Sequence, residues 1–274
     1  MLSYQHQYHA GNHADVLKHW LLIECVKYLQ KKDKPFDYID THAGAGMYGL
    51  NSVEALKTGE SRAGVLKLDW PNLKGFEEYH ALVAKDLAQA RYPGSPELVN
   101  RLLREGDHSW LFELHPQTLQ ELQRHCQTQR KTYVKQQDGF QGLLSLLPTK
   151  SRRALVLIDP SYEIKSDYQT VVQILAKAYQ KMPQVMALLW YPVVDRSFIS
   201  AMEREIKKTA MRNVQLFELC VAADEAKGMT GSGLIALNPP WLLAESFERV
   251  IPAVAKMLAQ SESHQWRWVE LIPE

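Results

Sequence analysis

Ala154-Leu155-Val156-Leu157-Ile158-Asp159-Pro160-Ser161-Tyr162 decides how this chain is read. Five consecutive apolar residues run into a proline turn, which predicts a buried strand with a carboxylate, a stiffened carbonyl and an aromatic ring at its tip. Upstream, Phe36-Asp37-Tyr38-Ile39-Asp40 predicts another strand, leading into Thr41-His42-Ala43-Gly44-Ala45-Gly46. Small residues at such a turn let backbone amides approach a ligand, as at the start of a nucleotide-binding unit. In an ordinary unit an acidic residue ends the next strand about 20 residues later. Here that offset falls near Glu60, within Lys57-Thr58-Gly59-Glu60-Ser61, which is no strand. The next strand is Trp110-Leu111-Phe112-Glu113. Before it, Ser95-Pro96-Glu97 predicts a helix start, with Ser95 as cap and Pro96 at the first helical position. The unit is therefore split, and residues 47–92 are expected to form an inserted, mainly helical piece.

Strand and helix alternate through the rest of the chain. Thr132-Tyr133-Val134 opens a strand that ends at Asp138-Gly139, and further strands are expected over 185–191, 214–221 and 234–237. The last two have only a loop between them, which predicts an antiparallel hairpin at one sheet edge. Ahead of the first strand, Asn12 looks like a helix cap, with Asp15 in the capping-box position and Val16, Trp20, Ile23 and Val26 at helical spacing. The pattern predicts an α/β fold, an open sheet with helices on both faces. Ligands of such sheets sit beyond the carboxyl ends of the strands. Asp40, Gly44, Gly46, Glu113, Asp138 and Asp159 all fall there.

The chain has 274 residues, 46% hydrophobic and 23% charged, enough for a large core. Its formal net charge is only +1, so any nucleic-acid contact must come from local patches such as Lys31-Lys32, Arg152-Arg153 or Lys207-Lys208. Three scattered cysteines indicate neither a disulfide framework nor a zinc knuckle. His6, His9, His13 and His19 match no standard metal spacing, and no metal is expected. No leader or membrane span is read from the sequence, so a cytoplasmic protein is expected.

Glu113 and Asp138, each ending a strand, suit the ribose hydroxyls and the adenine amine of an adenosine-containing cofactor, either a dinucleotide or S-adenosylmethionine. Each acid alone would serve equally well as a helix cap. Asp159 and its neighbours bear on that choice. An aromatic amine is a poor nucleophile because its lone pair spreads into the ring. The Asp159 carboxylate accepting one N–H, with the Pro160 carbonyl accepting the other, favours a localised lone pair. Tyr162 offers a face on which an extruded base can stack. No strong base is needed, since the methylated amine is an acidic cation whose proton a carboxylate can take. Lys18 and His19 lie close together on the first helix, either meeting the cofactor or forming an exposed face.

Tyr4-x-His6-x-x-His9-Ala10-Gly11-Asn12-x-Ala14-Asp15-x-x-Lys18-His19, together with residues 40–46, 92–96, Glu113-Leu114-His115-Pro116, Asp138-Gly139-Phe140 and Gly228-Met229-Thr230, resembles the bacterial 23S ribosomal RNA adenine-N6 methyltransferase family over essentially the whole chain. The resemblance implies a Rossmann-like class I methyltransferase fold: a seven-stranded, mostly parallel sheet ending in an antiparallel hairpin. Residues 1–46 and 93–274 would form that domain, and 47–92 the inserted helical subdomain. It also implies S-adenosylmethionine as methyl donor, an adenine of 23S rRNA (free or in an early assembly intermediate) as acceptor, and a monomer. Cofactor contacts would be Lys18, His19, His42, Ser95, Glu113, Asp138 and Gly139. Asp159 would be the catalytic acceptor, beside Pro160 and Tyr162, and Tyr4 and His6 would belong to a tail closing over the substrate. Such families usually read Asp-Pro-Pro-Tyr, whereas Ser161 stands third here. Two other readings fit the same features: an NAD-dependent oxidoreductase, and an RNA-binding protein that keeps the fold without catalysing.

Overall fold

The computed structural model describes residues 5–127, 131–224 and 226–274. Its spine is an eight-stranded sheet. The strands are β1 (Asp37–Asp40), β4 (His108–Phe112), β5 (Thr132–Lys135), β6 (Ala154–Ile158), β7 (Met186–Val193), β8 (Val214–Cys220), β9 (Gly231–Leu237) and β10 (Gln265–Ile272). Their spatial order is β10-β8-β9-β7-β6-β1-β4-β5. From β5 to β7 all neighbours are parallel, while β9, β8 and β10 join antiparallel. After β1 the chain builds β4 and β5 on one side and then returns to place β6 on the other. That reversal opens a crevice beyond the carboxyl ends of β1 and β6.

Two expectations need correcting. The sheet has eight strands rather than seven, and the β8–β9 hairpin is not its edge, because β10 pairs with β8 from Gln265↔Cys220 to Ile272↔Val214. A shift of register between Glu270 and Ile272 breaks the period-two alternation, so the apolar pattern of this segment does not read as one strand.

The central strands are buried on both faces, which explains their continuous apolar runs. Leu155 and Leu157 of β6 face a core shared with α1 (His13–Gln30), α4 (Glu77–Leu87), α5 (Ser95–Leu102), α6 (Pro116–Cys126) and α10 (Leu243–Leu258). Ala154, Val156 and Ile158 face the opposite core, with α7 (Gly139–Leu146), α8 (Asp167–Lys181) and α9 (Arg196–Lys207).

Between β1 and β4 runs a separate antiparallel ribbon of β2 (Met47–Gly49) and β3 (Arg91–Pro93). The chain between its strands is built from α2 (Val53–Thr58), α3 (Glu60–Ala63), two short 3-10 turns and α4. Trp20 of α1 fastens this segment to the sheet's core: its ring stacks on Phe76 at 5.7 Å and its Nε1 donates to the Gly75 carbonyl at 2.8 Å.

Polar ties set the ends of β1. Asp40 is fully buried and accepts from Tyr38 Oη (2.7 Å), Ser95 Oγ (2.7 Å) and His42 N (3.2 Å). Ser95 is thus the first residue of α5 rather than its cap, a position held by Gly94. Its hydroxyl is turned inward because a buried carboxylate needs donors more than the helix end needs a cap. Gly139, opening α7, is required by close approach: a Cβ there would lie 1.8 Å from the Thr41 carbonyl oxygen.

Gly139→Ala is expected to force α7 away from the end of β1 and to destabilise the protein by about 1–3 kcal/mol; an unchanged urea midpoint would contradict that packing. Asp40 gives a pH signature. Burial, partly offset by its three donors, raises its carboxyl to about 6. Its proton is held more tightly in the folded chain than in the unfolded one. The stabilisation this provides is full at low pH and lost as pH climbs through about 6. Asp40→Asn keeps a polar partner but cannot titrate. The stability of wild type relative to this variant should therefore fall by roughly 2–3 kcal/mol between about pH 4 and about pH 7 in urea titrations; a constant difference would show that Asp40 does not titrate in that window.

Candidate active site

Two cavities lie beyond the carboxyl ends of the strands and share one wall. The first, about 460 Å³, is lined by residues that include Lys18, His19, His42, Gly44, Ser95 and Glu113. The second, about 430 Å³, is lined by residues that include His9, Asn12, Glu60, Tyr162, Tyr168 and Phe198. His6, Lys18, Asp159, Ser161 and Trp190 line both. Each has the size of a small-molecule site.

Asp15, Lys18 and Asp159 hold the shared wall. Asp159 follows directly on β6, so the central strand delivers its carboxylate to the crevice. Lys18 reaches it from α1, with Nζ 2.7 Å from Asp159 Oδ2 and 2.8 Å from Asp15 Oδ1. The side chains of Asp15, Lys18 and Asp159 are 1%, 5% and 16% exposed, so these charges interact in a low-dielectric setting. Burial disfavours the Lys18 cation, but Asp15 and Asp159 overcome that and hold its pKa well above the usual lysine value. Burial likewise opposes the Asp15 anion, and Lys18, followed by the His6 ring, reverses this and holds its pKa well below the usual carboxylate range. Asp15 Oδ2 also accepts from Gly11 N (2.8 Å) and meets His6 Nε2 (3.0 Å), so one carboxylate fixes the turn into α1 and the segment before it. Asn12 caps the helix by accepting from Asp15 N at 3.0 Å.

At the turn bordering the first cavity, Gly44, which lines it, and Gly46, which packs on α6, adopt positive φ (64° and 79°), the conformation that lets this turn fold tightly. Glu113 stands one residue beyond β4 and accepts from Gly44 N (3.1 Å) and His115 N (2.7 Å). Burial raises its pKa against those two amides. Burial also lowers His42 to about 4 and His19 to about 3, so both rings are neutral at pH 7. His19 Nδ1 meets Tyr92 Oη at 2.7 Å, while its Nε2 is buried without a hydrogen-bond partner among the described residues. In the second cavity Tyr162 donates from Oη to the Trp190 carbonyl (2.7 Å), and its ring packs on Tyr168 with centroids 4.5 Å apart.

The structure therefore gathers His19, His42, Ser95 and Glu113 around one cavity, Tyr162 at the other, and His6, Lys18 and Asp159 between them; Pro160 lines the first. Asp138 and Gly139 line neither cavity. Asp138 Oδ1 accepts from Gln141 N at 2.8 Å and caps α7, and Gly139 packs on Thr41. Tyr4 lies outside the described residues. Sequence reasoning missed Trp190, whose only signal is an aromatic near the carboxyl end of β7, and Tyr48, whose hydroxyl accepts from Ala45 N at 3.0 Å. It saw Asp15 only as a cap partner. Among the described residues no three His, Cys, Asp or Glu side chains are grouped to hold a metal, and no helix is long and apolar enough to cross a membrane.

Comparison with known proteins bears on what two adjoining cavities of this kind serve. The family model described as ribosomal RNA large subunit methyltransferase D, RlmJ, matches residues 33–270. Over the full length of both chains, the sequence is 42% identical to ribosomal RNA large subunit methyltransferase J of Escherichia coli (strain K12) and 38% identical to the protein of that name from Haemophilus influenzae. The crystal structure of protein LPL1258 from Legionella pneumophila superposes with a TM-score of 0.89 at 33% identity, covering 96% of this chain and 98% of that one. These matches do not favour the oxidoreductase reading. The chain belongs to the RlmJ family of ribosomal RNA large subunit methyltransferases, and its sheet is the class I methyltransferase fold with one added edge strand.

Proposed function

We propose that this methyltransferase uses S-adenosylmethionine to methylate N6 of one adenine in 23S rRNA, the donor lying in the first cavity and the flipped base in the second. The observation that carries the reading is the shared wall: Asp159 lines both cavities, so a group held in one can reach a group held in the other beside a single carboxylate. When bound, S-adenosylmethionine supplies an electrophilic methyl carbon on a positively charged sulfur.

The residues of the first cavity fit that donor. Glu113 offers acceptor oxygens for ribose hydroxyls, the glycine turn leaves room for close backbone approach, and the partnerless His19 Nε2 is a buried polar atom that a ligand can satisfy. Asp138 caps α7 through Oδ1 and lies close enough to act on the charge of His42, so its carboxylate also suits the adenine amine.

On the acceptor side, Asp159 accepts one N6–H and the Pro160 carbonyl the other, which turns the nitrogen lone pair toward the first cavity. Asp159 then takes the proton that the methylated nitrogen releases. Tyr162, held by its bond to the Trp190 carbonyl, supports the face of the base. His6 closes the wall from the amino-terminal side, with Tyr4 as part of the same tail. RNA recognition falls to a small local structure read by the tail and the segment 47–92, in keeping with a net charge of only +1. A monomer acting in the cytoplasm is sufficient for all of this.

Incubation with tritiated S-adenosylmethionine and deproteinised 23S rRNA, followed by nucleoside analysis, is expected to return label in N6-methyladenosine; label in another nucleoside, or none, would overturn the reading. Asp159→Ala should lower transfer by about 10²-fold or more while leaving calorimetric affinity for S-adenosylmethionine close to wild type. Full turnover in that variant would remove Asp159 from its role.

A further inference from the structure

We propose that Asp15 is a positioning residue for methyl transfer, its buried carboxylate holding Lys18 so that Asp159 is free to engage the acceptor amino group. The inference rests on the function proposed above and deepens it. Lys18 Nζ sits between two carboxylates at nearly equal distance, 2.8 Å from Asp15 Oδ1 and 2.7 Å from Asp159 Oδ2. Asp15 is the more buried of the two and is held by more groups, with Gly11 N and His6 Nε2 both on Oδ2. Asp159, at the rim of both cavities, is the carboxylate that a ligand can reach.

Charge accounting explains why two anions are needed. With Asp159 as its only partner, Lys18 would be left as an unpaired buried cation whenever Asp159 turned to accept an N–H. The transfer itself would make matters worse. The new N–C bond takes the nitrogen lone pair, the electron pair of the broken C–S bond stays on sulfur, and the proton displaced from N6 goes to an Asp159 oxygen. Once protonated, Asp159 no longer neutralises Lys18, which would stand as an unpaired buried cation beside the product. Asp15 removes that difficulty. Before transfer, Asp15, Asp159 and Lys18 by themselves sum to −1, which favours the positive charge arriving at N6. After proton uptake, Asp15 and Lys18 remain as a neutral pair. The strongly favoured ionised states of Asp15 and Lys18 agree with this division of labour.

Asp15→Asn in the full chain removes the charge and leaves an oxygen to accept from Gly11 N. In single-turnover transfer to deproteinised 23S rRNA the rate is expected to fall about 30-fold or more, while half-saturating RNA and the affinity for S-adenosylmethionine stay within about threefold. In a Lys18→Met background the same substitution should change the residual rate by less than about threefold, because the cation it serves is gone. A wild-type rate in Asp15→Asn would overturn the proposal, as would losses that multiply in the double variant, since a merely structural role acts independently of Lys18. Should Asp15→Asn fail to fold, the double variant against Lys18→Met decides: equal rates support the proposal and a further loss overturns it. A wild-type protein that labels no 23S rRNA would instead strike at the function proposed above.

Discussion

A lysine buried between two carboxylates joins the amino-terminal helix to the tip of the central strand, and the site depends on that junction. Asp15 and Lys18 are three residues apart on α1, so their side chains share a face, while Asp159 comes from β6, more than a hundred residues later. Lys18 is tolerated at such burial because two carboxylates flank it, and Asp15 because Lys18 is in reach. The same cluster sets the boundary between the cavities and fastens His6 and Gly11 through Asp15. Whatever loosens α1 against the sheet therefore alters both halves of the site at once. Trp20, stacked on Phe76 and bonded to the Gly75 carbonyl, guards against that from the apolar side of the helix.

Ser161 stands where the resemblance leads one to expect a second proline, and the loss of stiffness is met elsewhere. Tyr162 has φ of +51°, a left-handed conformation that costs a non-glycine residue about 1–2 kcal/mol. Two contacts hold it there: the hydroxyl bond to the Trp190 carbonyl and the packing of its ring on Tyr168. Residues of β7 and α8 thus do for the ring what a second proline would do for the backbone. The geometry of the aromatic platform depends on tertiary contacts more than on the local turn.

That contrast also separates what was legible in the sequence from what was not. Strands buried on both faces announce themselves as apolar runs, so β6 and β7 could be read directly, while β1 and β4 show through the shorter stretches Tyr38-Ile39 and Trp110-Leu111-Phe112, and with them the carboxyl-end position of Asp40, Glu113 and Asp159. The edge strand β10 is only partly buried along its length and carries a register shift, and its pattern blurs accordingly. Side-chain direction was harder. Ser95 carries every sign of a cap, yet its hydroxyl turns to Asp40, and Asp138, which suits a ligand equally well, spends one oxygen on the start of α7. Both outcomes depend on which buried group most needs a partner, a quantity no local pattern encodes. Asp15 illustrates the limit best, since its helix position was evident and its partner Asp159 was not.

The charge lining the second cavity bears on how a polyanion can be a substrate at all. Asp15, Glu60, Asp159, Glu163 and Asp195 line it, against Lys18 and Lys165. A phosphate entering this space would meet an excess of negative charge in a partly desolvated setting, whereas an uncharged base would meet acceptor oxygens and aromatic faces. If the base is held as proposed, the cavity discriminates between the two parts of a nucleotide, and base and backbone separate at its mouth, which is what extrusion from a stack accomplishes. On that proposal, attraction for RNA comes from cations outside the cavity, where they draw in the backbone without competing for Asp159.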